Sequence, residues 1–156
     1  MIVTTRSPAA TRAFARRLAR VLRAGDVVGL IGDLGSGKTT FVQGLAAGLG
    51  IGKEARVRSP SFTVANVYEG GRLPLYHLDF FRHDDHDEIA ALGYEEYVFG
   101  EGVCAIEWLD RIPAAAPRDY LAIRFEEKGP TERALVLTAH GARAEEVVRS
   151  LTTRAR

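Results

Sequence analysis

A chain of 156 residues with 46% hydrophobic and 26% charged side chains is sized for one globular domain, spanning residues 1–156, and buries about two thirds of the surface its unfolded form exposes. Its formal charge of +1 gives no overall pull toward nucleic acid, so any RNA contact is expected to depend on partners. One cysteine excludes an intramolecular disulfide framework, and no apolar run reaches the length of a membrane span or a signal-peptide core, so a cytoplasmic protein with no membrane partner is expected.

Ser7-Pro8 is a helix start, and Phe14, Leu18, Val21 and Leu22 form an apolar stripe ended by Gly25. This helix is expected to pack beside the strand that follows. Asp26 to Ile31 is a short apolar run suited to a buried parallel strand. Residues 32–39 then read Gly-Asp-Leu-Gly-Ser-Gly-Lys-Thr, the P-loop pattern GxxxxGK[ST]. After it Phe41, Leu45 and Leu49 recur every four residues, with Gly48 and Gly50 expected to stop the helix. A chance match of the octapeptide is on the order of 1 in 200 for this length, and the order strand, loop, helix lowers that further.

The chemistry explains the residue types. Gly32, Gly35 and Gly37 permit backbone conformations closed to residues with a Cβ, so that successive N–H groups from Asp33, Leu34, Gly35, Ser36 and Gly37 turn around phosphate oxygens. Lys38 brings an ammonium to the β and γ phosphates, the Thr39 hydroxyl suits Mg²⁺, and Thr40 adds a hydroxyl toward the α-phosphate. ATP and Mg²⁺ are therefore the expected ligands. Adenine is preferred over guanine because no Asn-Lys-x-Asp motif occurs in the chain.

Further along, Phe62 to Tyr68 and Leu73 to Leu78 read as two strands joined by Glu69-Gly-Gly-Arg72, with Pro74 placing the second at an edge. Asp84 to Leu92 reads as a helix and Val103 to Ile106 as a buried strand. Tyr120 to Phe125 and Ala134 to Thr138 form a second hairpin around Lys128-Gly-Pro130, and a closing helix covers roughly residues 142–151. The predicted fold class is α/β, a single-domain P-loop NTPase with a central mixed β-sheet flanked by helices.

Hydrolysis needs a carboxylate besides the P-loop. Leu75-Tyr-His-Leu-Asp79 and Val103-Cys-Ala-Ile-Glu107 each end an apolar run in an acid, where a parallel strand delivers it to the phosphate edge of the sheet. Lys38, Asp79 and Glu107 are thus the candidate catalytic residues. Trp108 divides evenly between lining the site and simple packing. Cys104 reads as a buried, unreactive thiol, and His77, His83 and His86 lack zinc-site spacing and read as part of a solvated acidic turn.

Taken together, Gly32-Asp-Leu-Gly-Ser-Gly-Lys-Thr-Thr40, Val57-Arg-Ser-Pro-Ser-Phe-Thr63, His77-Leu-Asp-Phe-Phe-Arg82 and Ile106-Glu-Trp108 resemble the bacterial TsaE (YjeE) ATPases. The resemblance implies an ATP-hydrolysing component of the machinery that makes the threonylcarbamoyl modification of the adenosine beside the tRNA anticodon. It implies TsaB and TsaD as partners, with tRNA met through the complex. Carried over by position, Thr39 and Glu107 would be Mg²⁺ ligands, Asp79 would support hydrolysis or the metal's water shell, Ser59 to Thr63 would be a switch segment, and Arg133 would approach the nucleotide. Two positions depart from the family pattern: Ser61 stands where Thr is usual and Phe81 where Tyr is usual, so the switch keeps a hydroxyl and the phenol oxygen is lost. A small-molecule kinase, whose Arg-rich lid Arg111 and Arg118 do not clearly supply, and a nucleotide-gated binding module are the alternative readings.

Overall fold

In the computed structural model, which describes residues 1–60 and 63–154, seven strands among the described residues form one sheet: β1 (Ile2–Thr5), β2 (Val27–Ile31), β3 (Ala65–Tyr68), β4 (Leu75–Asp79), β5 (Val103–Glu107), β6 (Tyr120–Glu127) and β7 (Arg133–His140). Their order is β1-β7-β6-β2-β5-β4-β3. The central four, β4, β5, β2 and β6, run parallel, β3 is antiparallel to β4 at one edge, and at the other β7 is antiparallel to both β6 and β1, so that β1 runs in the direction of the central four. The parallel strands end on one edge of the sheet, so the loop after β2 and the acids closing β4 and β5 meet there. β2 and β5 are near-continuous apolar runs because both faces of the sheet are covered.

The helices α1 (Pro8–Ala19), α2 (Lys38–Gly48) and α5 (Ala142–Arg154) cover one face. Phe14, Leu18, Phe41, Leu45, Val147 and Leu151 pack there over Val28, Leu30 and Ile123. On the other face lie α3 (His86–Ala91) and α4 (Glu95–Val98), whose Ile89, Tyr94 and Val98 pack with Leu109 and Ile112 over Val27, Cys104 and Ile106. Asp26, just before β2, takes a bidentate pair from Arg143 of α5 at 2.9 and 2.7 Å, fastening the start of the central strand to the last helix.

The α/β class and the flanked mixed sheet are as predicted, and several local expectations are corrected. α2 ends at Gly48, with Leu49 as its C-cap, but Gly48 is a packing residue too: a Cβ there would stand 2.6 Å from that of Ala19, and one at Gly44 would stand 2.6 Å from that of Ala15. Both glycines let α1 and α2 approach closely, and the turn after the helix is taken by Gly50 at φ +81°. Pro74 does not mark an edge strand. β4 is interior, and Pro74 precedes it, using only its carbonyl to accept from Val103 N at 2.9 Å. β1 and α4, each four residues long, were too short to give a periodic signal. Cys104 is buried, and burial pushes its thiol far above the ordinary value.

Among the described residues, no helix is long and apolar enough to cross a membrane.

Candidate functional site

The loop after β2 turns through left-handed glycines, Gly35 at φ +77° and Gly37 at φ +109°. Gly37 is the N-cap of α2 and has no side chain to bond the first-turn amides, which leaves the positive end of the helix dipole aimed out of the loop. Lys38, 4% exposed, curls into the ring. Its Nζ donates to Gly32 O at 2.5 Å, Asp33 O at 2.8 Å and Ser36 Oγ at 3.4 Å. Burial lowers its pKa from the ordinary value, with the nearby charges of Glu107 and Asp79 acting in the opposite direction.

The Lys38 ammonium also sits 4.4 Å from the centre of the Trp108 ring, within cation–π range. Trp108 holds a left-handed backbone, φ 61° and ψ 36°, a conformation that stores about 1–3 kcal/mol in a residue with a Cβ. Its amide donates to Leu30 O at 2.9 Å, which pins the chain leaving β5 to the strand that carries the loop. Phe81 packs on the same indole at 5.1 Å between ring centres.

The two acids stand side by side, since Asp79 pairs with Glu107 in the β4–β5 register. Glu107 is 3% exposed. Its carboxylate accepts from Thr39 Oγ1 at 3.1 Å, from Ser59 Oγ at 2.9 Å and from His77 Nε2 at 2.5 Å. Burial raises the Glu107 carboxyl, yet the hydrogen bonds from His77, Ser59 and Thr39 and the His77 charge outweigh it, leaving the pKa below the ordinary value. Asp79 is only partly buried, and burial raises its carboxyl despite a hydrogen bond from the Phe81 amide at 2.8 Å.

A residue that sequence reasoning assigned to a solvated turn belongs to this cluster. His77 is fully buried in β4 and orients Glu107 through Nε2, with no partner for Nδ1 among the described residues. The signal was available in its position: it falls within the apolar run of β4, between Leu75 and Leu78. His83 and His86 are separate, bonded to Glu88 and to Tyr94. Tyr68 was also missed. Its hydroxyl accepts from Arg58 N at 3.1 Å and donates to Arg58 O at 3.0 Å, setting the backbone that presents Ser59 to Glu107. Ser61 and Phe62 lie outside the described residues, so the expected switch segment is described at Ser59, Pro60 and Thr63.

Two cavities flank the loop. One, of about 320 Å³, is lined by Lys38, Thr39, Asp79, Phe81, Glu107 and Trp108, among others. The other, of about 110 Å³, is lined by Thr40, Gly37 and Arg133 together with Ser7, read in the sequence only as a helix start, and Thr11 and Thr131, which sequence reasoning passed over. Arg133 reaches the loop from β7, its Nε donating to Ser36 O at 3.0 Å. Asp33 and Leu34 are exposed at the tip of the loop, Leu34 at 68%. A further cavity of about 400 Å³ shares Ser59, Asp79 and Phe81 and adds Arg82 and His83.

The donor set fits a small hard cation. Thr39 Oγ1 and Ser59 Oγ lie 2.8 Å apart, and both bond Glu107, which gathers two hydroxyls and one carboxylate beside the glycine-rich loop. Mg²⁺ is usually held by one or two such protein oxygens, the rest of its shell coming from water and phosphate.

The sequence model of a family described as "Threonylcarbamoyl adenosine biosynthesis protein TsaE" matches residues 5–135. The tRNA threonylcarbamoyladenosine biosynthesis protein TsaE of Bacillus subtilis is 43% identical over 148 residues, covering 95% of this chain and 91% of that protein. Its counterpart from Treponema pallidum is 44% identical over 117 residues, covering 75% and 84%. The crystal structure of YdiB from Bacillus subtilis superposes with a TM-score of 0.84 at 37% identity, covering 100% of this chain and 96% of that one. The matched span carries the loop, both acids and Arg133, and the chain belongs to the TsaE family of tRNA threonylcarbamoyladenosine biosynthesis.

Proposed function

We propose that this protein binds ATP with Mg²⁺ at the P-loop and hydrolyses it as the nucleotide-driven component of the threonylcarbamoyladenosine machinery, working with TsaB and TsaD. The observation that carries this reading is the convergence of Thr39, Ser59 and Glu107 on one point beside Lys38. Thr39 and Glu107 are the residues to hold Mg²⁺, which when bound neutralises charge on the β and γ phosphate oxygens. Lys38 and the first-turn amides of α2 bind the same oxygens. In this reading the α-phosphate and nucleoside lie on the Arg133 side of the loop, where Thr40 lines the second cavity as well as the first.

Asp79 has the position and the proton affinity to orient the attacking water. A raised carboxyl accepts a proton more readily than an ordinary one. Water adds to the γ-phosphorus, its bond to the bridging oxygen breaks, and ADP and inorganic phosphate leave.

The experiment is steady-state phosphate release with and without TsaB and TsaD. Slow turnover alone and a clear rise with both partners is expected; an unchanged rate removes the partner-dependent reading, and transfer of phosphate to a metabolite rather than water would favour a kinase.

Asp79→Asn separates function from packing. A carboxyl whose pKa is raised on folding contributes stability below its unfolded value and loses that contribution as pH rises through the folded one. At pH 7 the charged Asp79 therefore opposes folding, and the neutral variant is expected to melt at a higher temperature while hydrolysing ATP about tenfold to 10²-fold more slowly, the amide oxygen still accepting from water. A lower melting temperature with undiminished turnover would make Asp79 structural.

A further inference from the structure

The formal charge of +1 hides a strong separation of charge across the sheet. Residues 1–25 contain six arginines and no aspartate or glutamate, whereas residues 83–101 contain seven acidic residues and no lysine or arginine. The fold sends these segments to opposite faces, α1 to one layer and α3 with α4 to the other.

On α1 the arginines form a ridge. Arg12, Arg16 and Arg20 recur every four residues on the side opposite Phe14 and Leu18, so their Cα atoms rise about 6 Å from one to the next, a spacing suited to successive phosphates of one strand. Arg17 lies alongside with its guanidinium 5.9 Å from the Phe14 ring centre. Arg72 extends the ridge at its far end, its Nη2 donating to Ala19 O and Leu22 O at 2.8 and 3.0 Å. Like charges four residues apart work against the helix. Among the described residues no carboxylate forms an ion pair with Arg12, Arg16, Arg17 or Arg20, although Arg23 beyond them pairs with Glu146. The remaining exposed residues of the helix, Pro8, Ala9 and Ala13, are small, which gives the ridge no large apolar face to insert into a bilayer.

We propose that the arginine ridge of α1 binds the phosphate backbone of tRNA directly. This rests on the shown family rather than on ATP hydrolysis: Arg16 and Arg20 are exposed and Arg12 is half-buried where α1 borders α2, apart from the Glu107 cluster. Arginine suits the task because its fork bonds phosphate oxygens in pairs, and contacts of this kind position an RNA without reading its sequence.

The test is fluorescence anisotropy of an unmodified tRNA transcript titrated with the full chain across a salt series. The chain alone is expected to bind, with a log Kd that rises steeply with log salt. The triple variant Arg12→Gln, Arg16→Gln, Arg20→Gln should bind roughly tenfold or more weakly, with a salt slope lower by roughly two to three. Arg124→Gln, at an exposed arginine already paired with Glu126, should match the parent. ATP turnover and melting temperature of the triple variant report that it is folded; if it melts early, the three single variants decide by their slopes. No binding by the parent chain, unchanged slopes in the variants, or arginine-dependent binding to phosphatidylserine vesicles with tRNA affinity unaffected would each overturn the proposal.

Discussion

Lys38→Ala is expected to abolish most ATP turnover, by about 10²- to 10³-fold, the range seen when one preorganised donor to developing charge is removed. Two losses combine. The ammonium proposed to meet the β and γ oxygens disappears, and so do its bonds to Gly32 O, Asp33 O and Ser36 Oγ, which hold the loop in a ring. Nucleotide affinity should therefore fall together with kcat, unlike a change confined to the transition state. Lys38→Arg should not rescue, because a planar guanidinium has no room where Nζ sits within 3.4 Å of three loop oxygens. Trp108, the only tryptophan in the chain, lies 4.4 Å from Nζ and gives a direct readout. Its fluorescence should respond to ATP in the parent and lose that response in the variant. An alanine variant that binds and hydrolyses ATP at the parent rate would remove the phosphate role of the loop.

The parts of this site written in contiguous residues were legible, and the parts made by pairing were not. Strand, loop and helix succeed one another between Asp26 and Leu49, so each local signal supports the next. Asp79 and Glu107 were found because each ends an apolar run, and a parallel sheet carries such ends to one edge. His77 was not found. Its burial could be read from the apolar run of β4, but its partner Glu107 lies 30 residues away in the chain, and the aspartates that follow made the histidine look solvated. Gly44 and Gly48 show the same limit. Glycine breaks an isolated helix, but here it admits a neighbouring one, and the neighbour comes from residues 8–19. The separation of charge between residues 1–25 and 83–101 was hidden for a related reason, since a sum over the chain carries no information about which layer each charge joins.

The counterpart to Lys38 is Glu107, and its isosteric variant isolates charge from shape. Glu107→Gln should lower hydrolysis by about 10²- to 10³-fold, on the order of the several kcal/mol a metal contributes to transition-state charge, and should raise the Mg²⁺ concentration needed for half-maximal turnover. ATP affinity should change little, because the loop amides and Lys38 remain. The fold should hold as well, since the amide oxygen still accepts from His77 Nε2, Ser59 Oγ and Thr39 Oγ1. Glu107→Ala differs here: it leaves the fully buried His77 without its partner, a loss of about 1–3 kcal/mol. The parent and the glutamine variant should also part at low pH. A carboxyl held below its unfolded value of 4.5 contributes stability above that value and loses it as pH falls through the folded one, so the parent's melting temperature should drop in that window and the variant's should stay flatter. Equal turnover at equal Mg²⁺ in Glu107→Gln would remove the proposed metal role of Glu107 and leave it as the buried acceptor of His77, Ser59 and Thr39.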